Sequence, residues 1–201
     1  MTARFCNGVE LSGACPLPGS AGTGRGPAVV AGTAPGHEAE FLAAWRIGRR
    51  CPVVGVNGFG LDFAGVCDHW VSLHPEAFFP LRTGRALTHS DKPHPDADQV
   101  WPIATAGGSS ALLAVLVALC LGFAPVVCAG VHLREGEYAA MRERWLHYGP
   151  VLRGRVFSVS PPGTFVRDFL GIWGGIGAGD GPAVHAAFGG ANREEDSWPP
   201  A

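Results

Sequence analysis

The chain has 201 residues, a formal net charge of −2 at pH 7 and six cysteines. Its length fits one domain with a sizeable core, and its near-neutral charge excludes electrostatic attraction as a basis for binding nucleic acid or anionic lipid. The cysteines form neither a CxxC pair nor a metal-ligand spacing, and no apolar signal segment follows Met1. We therefore expect a cytoplasmic protein whose six cysteines are free thiols.

Glycine and proline, 30 and 17 residues, are concentrated toward the two ends of the chain. Residues 1–26 show no hydrophobic period and predict an irregular leader. Within it, GSAGTGRG at residues 19–26 lacks the Gly-Lys-Ser/Thr ending of a P-loop and precedes a strand, so we interpret it as a linker. Residues 174–201 are glycine-rich and then acidic, which predicts a flexible tail. The single folded domain is therefore expected at residues 27–173.

Strand-like and helix-like segments alternate through this domain. Short runs rich in valine and alanine are typical of buried parallel strands. They predict strands at residues 28–31, 53–56, 69–73, 126–131 and 155–159. Apolar residues at helical spacing predict helices at residues 37–50, 109–122 and 135–148, and a last helix after Thr164. The pattern loosens at residues 76–102, with a candidate strand at 86–88 and a polar loop at 89–98.

The most apolar stretch is GGSSALLAVLVALCLGFAPVVCAGVHL at residues 107–133. Its first part favours a helix that is apolar on every face, and such a helix must be buried in protein or in lipid. The run from 109 to 123 offers 15 residues before Gly-Phe-Ala-Pro interrupts it, whereas a membrane span needs about 20. We therefore expect a helix buried in the protein, followed by a strand, and no membrane span.

This alternation predicts an α/β fold, with one domain, an about five-stranded, mainly parallel sheet and helices on both faces. A strand order of 3-2-1-4-5 places the first and fourth strands side by side at a topological switch point. Ligands of such sheets bind beyond the carboxyl ends of the strands at that point. The small and polar residues expected there are Gly32, Thr33, Pro35, Gly36, Asn57, His74, Gly130, His132 and Ser160, with Gly107, Gly108, Ser109 and Ser110 starting the central helix.

Several ordered motifs resemble a Rossmann-like superfamily. They are VVAGTAPG after the first strand, VVGVNGF after the second, WVSLHPE, and the GGSSALLAVLVALCLGFAPVVCAGVHL stretch. Members of that superfamily include the bacterial CMP-sialic-acid sialyltransferases and the archaeal 6-hydroxymethylpterin diphosphokinase-like proteins. The chain is also similar to uncharacterised proteins of phages and prophages, through LHPE, DADQVWP, GGSSALLAV and RGRVFSVS. The resemblance covers roughly residues 27–170.

The resemblance implies a nucleotide-binding protein of phage or prophage origin, and a glycosyltransferase-like transferase whose ligand is a nucleotide or nucleotide sugar. Gly32 and Pro35 match the first turn of the family. Asn57 matches the Asn that helps to hold the nucleotide. Ser109 and Ser110 match the Ser/Thr-Ser pair that meets the nucleotide phosphate or ribose.

The chain also departs from the family. Thr33 stands where the transferases have Asn, and His132 stands where Asp is expected, which puts any metal role of that Asp in doubt. The tyrosine pair that assists phosphate departure in the sialyltransferases has no counterpart, since Tyr138 and Tyr148 fall on a helix face. The candidate catalytic bases are His74, His89 and His132.

Structural roles compete with these assignments. The glycines and serines that start the central helix could serve phosphate binding or an N-cap with close packing, because both roles use the same backbone N–H groups. Asn57 either contacts a ligand or completes a turn, and His74 either acts on a ligand or makes a structural hydrogen bond. The polar loop carries His89, Asp91, His94, Asp96 and Asp98, whose spacing matches no standard metal site. We interpret it as a solvated loop and assign no metal ligand, leaving a divalent metal open as a cofactor.

Two functions remain open from the sequence. One is a transferase that acts on a nucleotide-activated donor without a covalent intermediate. The other is a non-catalytic nucleotide-binding or phage accessory module that keeps the pocket without the chemistry. The polar strand ends and the histidines favour the first, whereas the missing tyrosines and the Asp-to-His change favour the second. The donor, the acceptor and the oligomeric state do not follow from the sequence.

Overall fold

The computed structural model describes residues 4–14, 16, 26–47, 51–103, 109–133 and 139–171. Within these ranges it contains a seven-stranded sheet, in which every neighbouring pair of strands is parallel, and a separate antiparallel hairpin. The hairpin strands are β1 (Arg4–Cys6) and β2 (Val9–Leu11). The sheet strands are β3 (Ala28–Ala31), β4 (Val53–Val56), β5 (His69–Val71), β6 (Leu87–Ser90), β7 (Gln99–Val100), β8 (Val126–Ala129) and β9 (Val156–Ser158). The helices are α1 (His37–Ile47), α2 (Phe59–Asp62), α3 (Pro75–Phe78), α4 (Ser110–Cys120), α5 (Ala139–His147), α6 (Gly149–Leu152) and α7 (Phe165–Leu170), with a 3-10 turn at Phe79–Leu81.

The strands of the large sheet lie in the order β7-β6-β5-β4-β3-β8-β9. The five strands predicted from the sequence are β3, β4, β5, β8 and β9, and their mutual order is the predicted 3-2-1-4-5. The α/β class and the parallel sheet are thereby confirmed. The predicted count of five strands is wrong, because β6 and β7 extend the sheet beyond β5. The topological switch point lies between β3 and β8.

The two additional strands lack an apolar sequence pattern because their interior positions are polar. In β6 the side chains of Thr88, His89 and Ser90 are buried, and β7 has only two residues. The Asp98 carboxylate accepts hydrogen bonds from the backbone N–H and the hydroxyl of Thr88 at 2.8 and 2.9 Å. Polar groups of the adjoining loop, rather than apolar neighbours, are therefore the partners of the buried side chains in this part of the sheet.

Helix α4 is the centre of one of the two layers that cover the sheet. All eleven of its residues are buried, and the ten from Ala111 to Cys120 lie in one cluster with the sheet, the β1–β2 hairpin, Trp101 and Trp145. The Ser109 hydroxyl caps the helix by accepting a hydrogen bond from the N–H of Leu112 at 3.1 Å. Across the described ranges, no helix reaches the length and hydrophobicity that a membrane crossing requires.

The β1–β2 hairpin lies in a segment that the sequence predicts to be irregular. Cys6, Val9 and Leu11 are buried in the same cluster as α4. Asn7 has a left-handed backbone with φ 48° and donates through Nδ2 to the carbonyl oxygens of Leu119 and Cys120 at 3.0 and 3.1 Å. These bonds lie at the carboxyl end of α4, where the last backbone carbonyl groups of a helix have no N–H partner within the helix. With three residues each, the two strands are too short to show a period.

Helices α1 and α2 cover the opposite face of the sheet. Phe41 of α1 packs against Phe59 of α2 with ring centroids 5.0 Å apart, and Phe59 stacks on Phe63 at 4.5 Å. Val29 and Trp70 of the sheet belong to the same buried cluster. This packing holds the first turn of α1 near the carboxyl ends of β3 and β8.

The expectation of free thiols is confirmed for Cys51, Cys67 and Cys128, which are all buried. Burial raises the pKa of Cys51 to about 11 and that of Cys67 to about 12, so both are protonated near neutral pH. Each Sγ of Cys6 and Cys120 donates to the carbonyl oxygen of the other, at 3.5 and 3.6 Å. The predictions for Cys15, Gly107, Gly108 and the tail at 174–201 lie outside the described residues.

Candidate functional site

The switch point is a close contact between the backbones that follow β3 and β8. The N–H of Gly32 donates to the carbonyl of Ala129 at 2.9 Å, and the N–H of Ala34 donates to the carbonyl of Gly130 at 3.0 Å. A Cβ atom at Gly32 would lie 2.6 Å from the Gly130 oxygen, and one at Gly130 would clash with the backbone of Gly32. Glycine is therefore needed at both positions for the strands to meet.

Glu40, in the first turn of α1, forms hydrogen bonds with residues that follow both β8 and β9. Its Oε2 accepts hydrogen bonds from the N–H of Gly130 at 2.7 Å and from the hydroxyl of Ser160 at 2.8 Å. Its Oε1 lies 2.5 Å from Nε2 of His132. The structure thus brings Gly130, His132 and Ser160 together, around a carboxylate that the sequence analysis missed. The sequence contained one signal that Glu40 is buried. It precedes the buried Phe41 and lies four residues before the buried Ala44, on the same face of the helix.

His132 is held from two sides. Its ring contacts Glu40, and the next residue, Leu133, has a left-handed backbone with φ 49°. The carbonyl oxygen of Leu133 accepts hydrogen bonds from Nε and Nη2 of Arg142 at 3.0 and 2.8 Å. The other ring nitrogen, Nδ1, is buried and has no hydrogen-bond partner in the part of the chain that the structure describes.

Asn57 follows β4 in a left-handed conformation with φ 48°. Its backbone N–H donates to the carbonyl of Val71 at 3.2 Å, and its carbonyl accepts a hydrogen bond from Nε1 of Trp70 at 2.8 Å. Its Oδ1 accepts a hydrogen bond from the buried Ser72 hydroxyl at 2.8 Å. The N–H of His74 in turn donates to Ser72 Oγ at 2.9 Å. Three of these interactions therefore join Asn57 to β5 and to the loop that follows it, and the fourth lies within that loop.

The two serines that start α4 use their hydroxyl groups inside the protein. Ser109 Oγ accepts hydrogen bonds from the N–H of Leu112 and from Nε1 of Trp145 at 3.1 and 3.2 Å. Ser110 Oγ accepts a hydrogen bond from the N–H of Leu73 at 3.1 Å. These bonds match the capping and packing roles that the sequence left open beside phosphate binding.

The remaining residues after β3 are open to solvent. Thr33, Pro35 and Gly36 are exposed, and a Cβ atom at Gly36 would meet no atom within 4 Å. The loops after β3 and β4 are adjacent, because a Cβ atom at Gly58 would lie 3.7 Å from Cγ2 of Thr33.

The three candidate bases occupy different environments. His74 is exposed, with Nδ1 at 3.8 Å from the carboxylate of Glu76, which also lies 3.0 Å from Nζ of Lys92. The backbone N–H of Glu76 and then the side chain of Lys92 hydrogen-bond its carboxylate and lower its pKa. His132 is buried at the switch point, and His89 is buried within the sheet.

His89 is fully committed to internal contacts. Its Nδ1 accepts a hydrogen bond from Nε1 of Trp101 at 3.0 Å, and its Nε2 lies 2.9 Å from Nδ1 of His69. Burial lowers the pKa of His89 to about 3 and also lowers the pKa of His69. Because the indole can only donate, neutral His89 carries its proton on Nε2 and donates it to His69.

The solvated loop predicted at 89–98 begins only at Asp91, because His89 and Ser90 are buried residues of β6. The rest of the loop is held by its own charged groups. The Asp98 carboxylate accepts a hydrogen bond from Arg82 Nη1 at 2.7 Å as well as the two bonds from Thr88. Partial burial acts to raise the pKa of Asp98, but these bonds and the Arg82 charge prevail and lower it. Nδ1 of His94 accepts a hydrogen bond from the N–H of Asp96 at 3.2 Å. Among the described residues, no group of three or more His, Cys, Asp or Glu side chains could hold a metal ion.

No family model, no curated protein and no solved structure matches the chain. The geometry of the carboxyl edge of the sheet is therefore the basis for assigning a function. Two polar centres stand out there: Asn57 between the loops after β4 and β5, and the pair of Glu40 and His132 at the switch point.

Proposed function

We propose that the protein binds a nucleotide at the carboxyl edge of the sheet, along the loops that follow β3, β4 and β5. The observation that carries this proposal is the side-chain amide of Asn57. Its oxygen is committed to Ser72, whereas Nδ2 has no hydrogen-bond partner among the residues described. An amide N–H₂ group at this edge of a parallel sheet suits an oxygen atom of the ligand, such as a ribose hydroxyl or a base carbonyl.

The hydrogen-bond chain determines which way this amide points. Ser72 accepts the N–H of His74 at 2.9 Å, so the single hydroxyl proton of Ser72 is available for Asn57 at 2.8 Å. The Asn57 atom that faces Ser72 is assigned as the oxygen, which gives the buried hydroxyl proton of Ser72 an acceptor, and the other atom is the donor nitrogen. Because the backbone of Asn57 is also held on both sides, its donor is preorganised, which reduces the entropy lost on binding.

The surroundings of Asn57 leave room for the rest of a nucleotide. Thr33 and Gly36 on the neighbouring loop are exposed. This loop leads to the switch point, where β3 and β8 lie side by side. We place the nucleoside near Asn57 and the phosphate on the exposed loop after β3.

The test is nucleotide affinity in a pair of matched variants, Asn57→Asp and Asn7→Asp. Both asparagines have φ 48°, and Asp tolerates this conformation. In Asn57→Asp the acceptor for Ser72 remains but the free donor is replaced by a charged acceptor. Calorimetric titration with nucleoside mono- and diphosphates should show binding weakened at least about tenfold, the cost of roughly 1.5 kcal/mol for such a hydrogen bond, with an unchanged melting temperature.

Asn7→Asp should behave in the opposite way. It removes the donor to the carbonyl groups of Leu119 and Cys120, so the melting temperature should fall while the nucleotide dissociation constant stays the same. Equal nucleotide affinity for Asn57→Asp and the unaltered protein would reject the assignment of this donor. If the unaltered protein binds no nucleotide, the proposed function is wrong.

Binding without turnover would support the non-catalytic module. Release of nucleotide from a nucleotide sugar would support the transferase.

A further inference from the structure

The buried pair of Glu40 and His132 is not needed for nucleotide binding by Asn57. Oε2 of Glu40 already accepts hydrogen bonds from the N–H of Gly130 and the hydroxyl of Ser160, and Oε1 faces Nε2 of His132. With the carboxylate of Glu40 as the acceptor in all three contacts, the proton between Glu40 and His132 is carried by Nε2 of the imidazole.

This assignment makes Nδ1 of His132 a proton acceptor. A neutral imidazole has one N–H group and one nitrogen with a free lone pair. The His132 side chain is 3% exposed, and no donor from the described part of the chain reaches its Nδ1. Buried polar atoms almost always have a partner in folded proteins. A carboxylate that holds one ring nitrogen and leaves the other as an acceptor is the arrangement of a histidine that takes up a proton.

Neither of the other candidate bases has this arrangement. The Nδ1 of His74 is 3.8 Å from the exposed carboxylate of Glu76, too far for a hydrogen bond. Both ring nitrogens of His89 are engaged, by Trp101 and His69. His132 is also fixed through its backbone, since Arg142 binds the carbonyl of Leu133 with two N–H groups.

We propose that His132 is the general base for a hydroxyl group of the acceptor substrate, and that Glu40 is its positioning residue. The inference rests on the proposed function, because the hydroxyl attacks a nucleotide-activated donor. Nδ1 takes the hydroxyl proton, and the electron pair of the broken O–H bond forms the new bond to the electrophilic centre of the donor. The bond from that centre to the leaving oxygen breaks, and its electron pair leaves with the nucleotide. The proton remains on His132, beside the negative charge of Glu40.

The test compares nucleotide release from a panel of nucleotide sugars by the unaltered protein and three variants. Glutamine keeps an N–H group that can face Glu40 but has no basic nitrogen. His132→Gln should therefore lower turnover about 10²–10⁴-fold and leave the dissociation constant for the nucleotide unchanged. Glu40→Gln should lower kcat without raising KM for the donor, and should shift the pH profile of kcat, which a purely structural role would not do.

Asn7→Asp is the control. It removes the donor to the carbonyl groups of Leu119 and Cys120 and leaves the contact between Glu40 and His132 in place. It should lower the melting temperature and keep kcat close to that of the unaltered protein.

Turnover by His132→Gln at the rate of the unaltered protein overturns the inference. So does failure of the unaltered protein to release nucleotide from any sugar of the panel. In that case nucleotide titration of Asn57→Asp decides separately whether the proposed function stands. If His132→Gln does not fold, nitrogen-15 spectra of the histidine-labelled protein at neutral pH decide instead. Nδ1 of His132 should be unprotonated and Nε2 protonated, and the reverse pattern overturns the inference.

Discussion

Gly32 and Gly130 bring the ends of the two central strands closer than residues with side chains allow. Gly130 has a left-handed backbone with φ 64°, and a Cβ atom there would overlap the backbone of Gly32 and the side chain of His37. The same contact presents the N–H of Gly130 to Glu40. The glycine thus serves both the packing of the switch point and the position of the carboxylate behind His132.

Gly130→Ala and Gly36→Ala separate conformational strain from steric overlap. Both glycines have positive φ, 64° and 84°, but a Cβ atom at Gly36 meets no atom within 4 Å. Gly36→Ala should therefore lower the free energy of unfolding by about 1–2 kcal/mol. Gly130→Ala should cost a further 1–3 kcal/mol, roughly, for overpacking. Urea denaturation measures both, and equal losses would mean that the strands can separate at little cost.

At the scale of single elements, the β1–β2 hairpin and α4 depend on each other. Helix α4 has no polar face, so the side turned away from the sheet needs a cover. The hairpin supplies Cys6, Val9 and Leu11 to that side, and Asn7 binds the end of the helix. Removal of the first residues should therefore expose α4, contrary to what an irregular leader would imply.

Leu11→Ala and Phe5→Ala test this dependence within the hairpin. Leu11 is 4% exposed and Phe5 is 65% exposed. Leu11→Ala should lower the free energy of unfolding by about 2–5 kcal/mol, because it removes buried methyl groups and leaves a cavity. Phe5→Ala should change it by less than about 0.5 kcal/mol. Similar, small effects of both substitutions in urea denaturation would show that the hairpin does not support α4.

For the whole molecule, the buried histidines make stability depend on pH. Histidine has a pKa of about 6.5 in an unfolded chain, whereas burial lowers that of His89 to about 3 and also lowers that of His69. Below pH 6.5 the unfolded state takes up protons that the folded state excludes. The stabilisation is therefore complete above about pH 6.5 and is lost progressively as the pH falls toward 3.

Urea denaturation at pH 7 and pH 5 should show this loss. His89 alone accounts for up to about 2 kcal/mol between its unfolded pKa and pH 5, at 1.36 kcal/mol for each pH unit. His89→Gln should be less stable at pH 7, since it disturbs the contacts with Trp101 and His69, but its stability should fall less on acidification. His74→Gln, at an exposed position, should keep the full pH dependence. An identical pH dependence for His89→Gln and the unaltered protein would contradict the buried neutral state.

The sequence predicts the parts of the fold that apolar runs encode. The five valine- and alanine-rich strands, their order and the buried helix α4 follow from such runs, and Gly130, His132 and Ser160 were identifiable because they follow parallel strands. Strand β6 was anticipated only as a candidate strand at 86–88 and β7 was not anticipated, because their interior is polar and is satisfied by contacts that no local pattern encodes. Glu40 was missed because its partners lie 90, 92 and 120 residues away in the chain. An acidic residue in a first helical turn is otherwise explained by the helix dipole.

The central position of β3 has a consequence for how the protein is made. Strand β3 pairs with β4 and with β8, and Val29 lies opposite Val127. On the ribosome, β3 therefore emerges long before its second neighbour, and the apolar sequence of α4 also emerges before the sheet beneath it is complete. Pairing between such distant segments is slow, and the nascent chain exposes the kind of apolar surface that chaperones bind. We therefore expect the yield of folded protein to depend on the rate of this late pairing as well as on the stability of the finished sheet.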